Sequence, residues 1–208
     1  MLDIGGNIGW YPSFLGRYGY TILTFEPYFN NYYINRKNYC LLNRNSNVII
    51  ITKWLNNEEK NCEYYIQNNT FANGLTLCED NNKKIIYEQY IKYSKVSLTK
   101  FSNFIPFLSK KNIALIKIDI EGSEGIVIKN GIDLIKKYKV PFIFIEFTPK
   151  LLIQHNTNPK KLMRFFLYNG YKISTEGFLS NNYISIHELL KRTNYQINIY
   201  LIYTKFLN

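Results

Sequence analysis

The feature that most constrains this chain is a series of short apolar runs, each closed by an acid. Asp3 stands just after the first run, Glu26 follows Tyr20 to Phe25, Asp119 follows Ala114 to Ile118, and Glu146 follows Phe142 to Ile145. Continuous apolar runs of this length, separated by helical patterns, read as strands of a buried parallel sheet. The alternation of strand and helix makes the fold class α/β. In an open α/β sheet, ligands sit outside the carboxyl ends of the strands. Acids at four such ends therefore mark one sheet edge as a place of chemistry. Capping of the following helices accounts for part of Asp119 and Glu121, but not for Glu26, which precedes Pro27.

The expected order is a strand ending at Met1 to Ile4, a helix over Tyr11 to Arg17, a strand over Tyr20 to Phe25 and a helix over Asn30 to Lys37. A continuously apolar strand, Val48 to Thr52, comes next. Cys62 to Ile66 reads as a short antiparallel strand, Gln67 to Asn82 as a polar loop, and Lys95 to Leu98 as another short strand. A helix is expected near Phe101 to Leu108, then a strand over Ala114 to Ile118 and helical stretches over Ser123 to Lys129 and Ile132 to Tyr138. After the strand at Phe142 come a helix over Pro159 to Tyr168 and a closing strand pair, Tyr171 to Ser174 and Ile197 to Tyr203. No repeat, long linker or low-complexity tract divides the 208 residues, so one domain is expected. Four residues are short for a first buried strand, which gives the N-terminus a clipped look.

The loop Gly5-Gly6-Asn7-Ile8-Gly9 follows the first strand and precedes a helix. Glycines there permit a tight turn and close approach of backbone to a ligand. With an acid some twenty residues later, at Glu26, the pattern fits a nucleoside whose ribose hydroxyls donate to that carboxylate. Either a dinucleotide or S-adenosylmethionine satisfies it. The spacing Asp3-x-Gly5-x-x-x-Gly9 departs from the G-x-G-x-x-G that seats a pyrophosphate. Asp3 inside the loop region would repel a pyrophosphate but suits the amino group and sulfonium of S-adenosylmethionine.

The ordered set of motifs resembles the FkbM-type methyltransferases. Asp3-Ile4-Gly5-Gly6-Asn7-Ile8-Gly9 is similar to the family's first motif, and Phe25-Glu26-Pro27 to its second. Lys117-Ile118-Asp119-Ile120-Glu121-Gly122-Ser123-Glu124 is similar to its most diagnostic stretch, and Ile145-Glu146 with Pro149 to its last recognisable strand. The resemblance covers about residues 1 to 150. It implies a Rossmann-like class I methyltransferase sandwich, with a seven-stranded, mostly parallel sheet carrying one antiparallel strand. It also implies S-adenosylmethionine as donor and a hydroxylated acceptor: a sugar, a glycan or a related small metabolite. One departure is Leu98-Thr99, where the family usually carries Leu-Asp.

On this reading Asp3, Gly5, Gly6, Asn7 and Gly9 line the methionine part of the donor, with Asp3 at its amino group. Glu26 holds the ribose, and Trp54 stacks on adenine or packs in the core. Asp119, Glu121 and Glu146 are the candidate catalytic acids, because a sugar hydroxyl needs a base or a metal to lose its proton. A magnesium ion held by these carboxylates is the metal version of that role. If the chain were extended at Asp119-Ile120-Glu121, both carboxylates would face the same way. Glu124 is expected to stabilise the first turn of its helix. His155 is a further candidate base, with an ordinary surface residue the plainer expectation.

The formal charge of +11 raises a polyanionic partner. The lysines are scattered, however, and Asp119-Ile120-Glu121-Gly122 stands where base-amino methyltransferases carry an Asn-Pro-Pro-Tyr-like motif. A nucleic-acid methyltransferase is thus the less favoured alternative, alongside a catalytically inactive donor-binding module. Cys40, Cys62 and Cys78 are odd in number without metal-ligand spacing, which points to a reducing compartment, the cytoplasm. No apolar run reaches membrane-spanning length, and no signal peptide is apparent.

Overall fold

The computed structural model describes residues 1–42, 47–67, 74–77, 90–108, 111–192 and 196–206. Its strands are β1 (Leu2–Ile4), β2 (Ile22–Phe25), β3 (Val48–Ile51), β4 (Lys53–Asn56), β5 (Asn61–Gln67), β6 (Gly74–Leu77), β7 (Tyr90–Lys100), β8 (Leu115–Ile118), β9 (Phe142–Phe147), β10 (Tyr171–Ser174) and β11 (Ile197–Tyr203). Its helices are α1 (Trp10–Gly16), α2 (Phe29–Leu42), α3 (Ile105–Leu108), α4 (Glu124–Asn130), α5 (Ile132–Tyr138), α6 (Pro149–Gln154), α7 (Pro159–Tyr168) and α8 (Ile186–Lys191). Seven strands form a mostly parallel sheet in the order β10-β11-β9-β8-β1-β2-β3, with a four-stranded sheet β4-β7-β5-β6 beside it in sequence. The fold is α/β, Rossmann-like, and β11 is its antiparallel strand.

The chain divides into two compact units, Met1–Gly5 with Phe101–Asn208, and Gly6–Lys100. In the first, β1, β8 and β9 run parallel, with Asp3 opposite Lys117 and Ile118 opposite Ile145. Ile116, Ile118, Ile143, Ile145, Ile199 and Leu201 are essentially inaccessible. Burial on both sheet faces explains why these strands read as unbroken apolar runs rather than alternating ones. Each such side chain contributes roughly 1.5–3 kcal/mol. Helix α7 starts with Pro159 in its first turn behind Asn158, whose side chain accepts from the Lys161 amide at 3.0 Å. That is the arrangement in which proline costs a helix no hydrogen bond.

In the second unit, β2 is buried throughout and pairs in parallel with β3. Strand β3 is apolar in sequence yet half-exposed, with Ile49 open to solvent, because it is an edge strand. The polar loop expected over Gln67 to Asn82 contains a strand at its centre. Gly74–Leu77 pairs antiparallel with β5; most of the rest of that segment lies outside the described residues. The short strand at Lys95 extends to the eleven residues of β7. Cys62 is disulfide-bonded and Cys40 is a free, exposed thiol. Among the described residues no helix is long and apolar enough to cross a membrane.

Candidate functional site

The glycine turn and Glu26 are built together within the second unit. Glu26 directly follows β2 and is buried. Its Oε2 accepts from the Asn7 amide at 2.7 Å and its Oε1 from the Tyr28 amide at 2.9 Å. The Gly6 amide donates to the Phe25 carbonyl at 3.0 Å. These bonds fix the loop to the end of β2 and hold the carboxylate in one orientation. Asn7 and Gly9 both take left-handed backbone conformations, φ 46° and 81°. A side chain on Gly9 would overlap Asn35 of α2. Asn35 was not apparent from the sequence. It is fully buried, and its amide makes no hydrogen bond among the described residues. A cavity of about 650 Å³ adjoins the loop, walled by Asn7, Ile8, Tyr28, Asn31, Tyr33 and Ile34 among others.

Trp54 lies in β4, half-buried against a cluster of Tyr28, Cys62, Val96 and Leu98. Of the two roles expected for it, the structure displays packing. Thr99, at the position of the usual family acid, is buried in β7 opposite Leu55.

The remaining acids cluster in the first unit around a lysine to which sequence reading gave no role. Asp3 lies inside β1 rather than after it, fully buried. Facing it across the parallel ladder, Lys117 places its ammonium 3.5 Å from Asp3 Oδ1 and 3.4 Å from Asp119 Oδ2, and donates to the Gly5 carbonyl at 2.6 Å. The Asp119 amide donates to the Ile4 carbonyl at 3.0 Å. A side chain on Gly5, which has φ 88°, would overlap the Asp119 carbonyl oxygen. Glycine is thus required at Gly5 both by conformation and by space.

Asp119 and Glu121 do not share one side of an extended segment. Glu121 and Gly122 are left-handed, with φ 55° and 100°, so the chain turns sharply after Ile120. Glu124 holds this turn. Its Oε1 accepts from the Ile120 and Gly122 amides, both at 3.1 Å. That bonding goes beyond the helix-start role expected for it. Burial pushes the Glu124 carboxyl up to about 7, against the lowering effect of those amides.

Glu146 lies within β9, one residue before its end, and its carboxyl is electrostatically coupled to that of Asp119. Gln196, also missed in the sequence, donates to Glu146 from the residue preceding β11. Burial first, then the negative charges of Asp119, Glu121 and Glu124, push the Glu146 carboxyl up to about 8. Burial, then Asp119, also raises Glu121. The arrangement therefore favours the protonated form of Glu146. His155, at the C-terminus of α6, lies over the turn. A Cβ on Gly122 would come within 2.9 Å of its Cδ2. Burial lowers its pKa, favouring the neutral imidazole. Asp119 is 35% exposed where Asp3 is 0%, so only Asp119 of the two can meet a substrate.

Among the described residues no group of three or more His, Cys, Asp and Glu is arranged to hold a metal ion. Asp119 lies 3.4 Å from the Lys117 ammonium, and Glu146 accepts from the Gln196 side chain. The residues present do not fit magnesium.

A mostly parallel α/β sheet with a glycine turn anchored to an acid at a strand end defines the class of Rossmann-like folds. The chain matches the Methyltransferase FkbM domain over residues 3–173 and belongs to that family. It is a methyltransferase, and its family implies S-adenosylmethionine as donor. A solved structure of a S-adenosylmethionine-dependent methyltransferase from Methanosarcina mazei is similar at a TM-score of 0.41 and 11% identity, over 97% of this chain and 89% of that one. No curated protein matches the chain.

Proposed function

We propose that this methyltransferase acts on a hydroxyl oxygen of a sugar, glycan or related small metabolite. The observation that carries the proposal is the coupled Asp119–Glu146 carboxyl pair, with the Lys117 ammonium 3.4 Å from Asp119. S-adenosylmethionine supplies a methyl group already activated on a sulfonium, so the protein's task is to position a weakly acidic hydroxyl and take its proton. Asp119 is the acceptor of that proton. Glu146 retains its own proton and orients Asp119 by donating to it, while Lys117 offsets its charge. Glu121 and the neutral His155 flank the same turn and orient the acceptor. On the donor side, the Gly5–Gly9 turn accommodates the methionine part, with Asp3 setting the local negative charge. Glu26 receives the ribose hydroxyls, its orientation fixed by the Asn7 and Tyr28 amides. The packing of Trp54 leaves its adenine contact outside this proposal.

The test is mass spectrometry with isotopically labelled donor and a panel of glycans, small hydroxylated metabolites and RNA. Label on a hydroxyl oxygen of a glycan or metabolite supports the reading. Label on RNA alone, with salt-sensitive binding, would replace the acceptor class. Donor binding with no transfer to any acceptor would identify an inactive module.

A further inference from the structure

The sequence from residue 1 to 57 holds only two acids, Asp3 and Glu26, and both are buried. The exposed charges on α1, α2 and the turn after α1 are therefore all positive: Arg17, Arg36 and Lys37. On the same elements large apolar side chains stand in water. Trp10 is 61% exposed and Tyr18 67%, with Phe14, Ile8, Tyr33 and Ile34 also open. Trp10, Phe14 and Tyr18 recur every fourth residue and form one row, with ring centroids 5.4 Å and then 5.7 Å apart. Helix α1 packs on α2. Asn38 of α2 donates to the Ile8 carbonyl at 2.9 Å, and Ile8, Tyr33 and Ile34 wall one recess. The two helices thus present an exposed aromatic and aliphatic face whose own exposed charges are all cations, with the Lys37 ammonium 4.7 Å from the Tyr33 ring centre. Monomeric soluble proteins seldom leave such a face uncovered.

We propose that this face seats the protein on an anionic bilayer surface. Trp and Tyr rings settle at the headgroup level, aliphatic and Phe side chains reach the acyl boundary, and arginine and lysine meet the anionic headgroups. The net charge of +11 acts in the same direction. A second copy of the chain would set Arg17, Arg36 and Lys37 against like charges. A single-stranded nucleic acid needs separate ring faces for its bases, whereas Trp10 and Phe14 are stacked on each other at 10°. Neither occupant suits the face as well as lipid.

The chain has two tryptophans, so Trp54→Phe leaves Trp10 as the sole reporter. Vesicles of phosphatidylcholine with phosphatidylglycerol in equal parts should shift its emission to the blue. Lipids brominated on the upper acyl chain should quench it. Added salt should reverse both effects, and pure phosphatidylcholine should give weaker ones. Co-sedimentation of the unsubstituted chain reads the same equilibrium with the core intact. Phe14→Ser with Tyr18→Ser should lower partitioning by about tenfold or more. Emission and sedimentation unchanged by anionic vesicles would overturn the proposal. So would a blue shift that appears without lipid as protein concentration rises, which would indicate self-association, or one produced by an oligoribonucleotide but not by vesicles.

Discussion

Replacing Lys117 by methionine keeps most of the side-chain volume and removes a cation that faces two carboxylates, 3.5 Å from Asp3 and 3.4 Å from Asp119. At an effective dielectric of about 20, each attraction is worth about 5 kcal/mol before desolvation is counted. The Asp119 share shrinks below about 1 kcal/mol because solvent screens a carboxylate that is 35% exposed. Asp3 is fully buried and has no such relief. Its escape is to take up a proton, which from an ordinary value near 3.9 costs about 4 kcal/mol at pH 7 and about 1.5 kcal/mol at pH 5. The expected destabilisation is therefore about 3–4 kcal/mol at pH 7, in line with other broken buried ion pairs. At about 2–4 °C per kcal/mol for a chain of this size, Tm falls by about 6–16 °C. At pH 5 the fall shrinks to about 3–6 °C, since the protonated form becomes cheaper as pH drops. Differential scanning fluorimetry of wild type and Lys117→Met at the two pH values reads both quantities. A fall under about 2 °C at pH 7, or an equal fall at both, would refute the electrostatic account of this lysine.

Glu26→Ala should weaken S-adenosylhomocysteine binding in calorimetry by about tenfold or more, through loss of two charge-assisted hydrogen bonds; unchanged affinity would remove the ribose assignment. Asp119→Asn should keep the fold and donor affinity yet lower methyl transfer by about 10²–10⁴-fold, with Glu121→Gln falling less; near-normal turnover in both would shift attention to Glu146 and His155. Gly5→Ala should lower Tm more than Gly19→Ala, because both glycines have positive φ but only Gly5 faces a backbone carbonyl where a Cβ would sit; equal shifts would contradict the close approach. Glu146 is raised to about 8 in the folded chain, so its contribution to stability is complete below about 4.5 and is lost as pH rises toward 8. Thermal stability should fall over that window, and Glu146→Gln should flatten the slope; a wild-type curve rising from pH 5 to 8 with the same slope in the variant would sink this assignment.

The sequence by itself determined the class of sheet, the glycine turn and its acid, and most of the strands that carry the candidate acids. Those features are local: apolar runs of strand length, glycines where the chain must turn, and Glu26 one residue past β2 are all set by near neighbours. The same locality explains the elements that were missed. Gly74–Leu77 is too short, and lies in too polar a segment, to stand out as a strand, and is held by the ladder to β5, and β3, though wholly apolar, is an exposed edge because of its place in the sheet. What only the tertiary structure decided is which charges face each other. Lys117 meets Asp3 across a parallel ladder spanning more than a hundred residues, and Gln196 reaches Glu146 across fifty. The alternation expected at Asp119-Ile120-Glu121 gave way to a left-handed turn because Glu124 accepts two of its amides. Trp54 carried a signal for a ligand or for the core, and its neighbours from β5, β7 and the residue before α2 supplied the packing. Electrostatic roles depend on distance and burial in three dimensions, and neither is encoded in the spacing of residues along the chain.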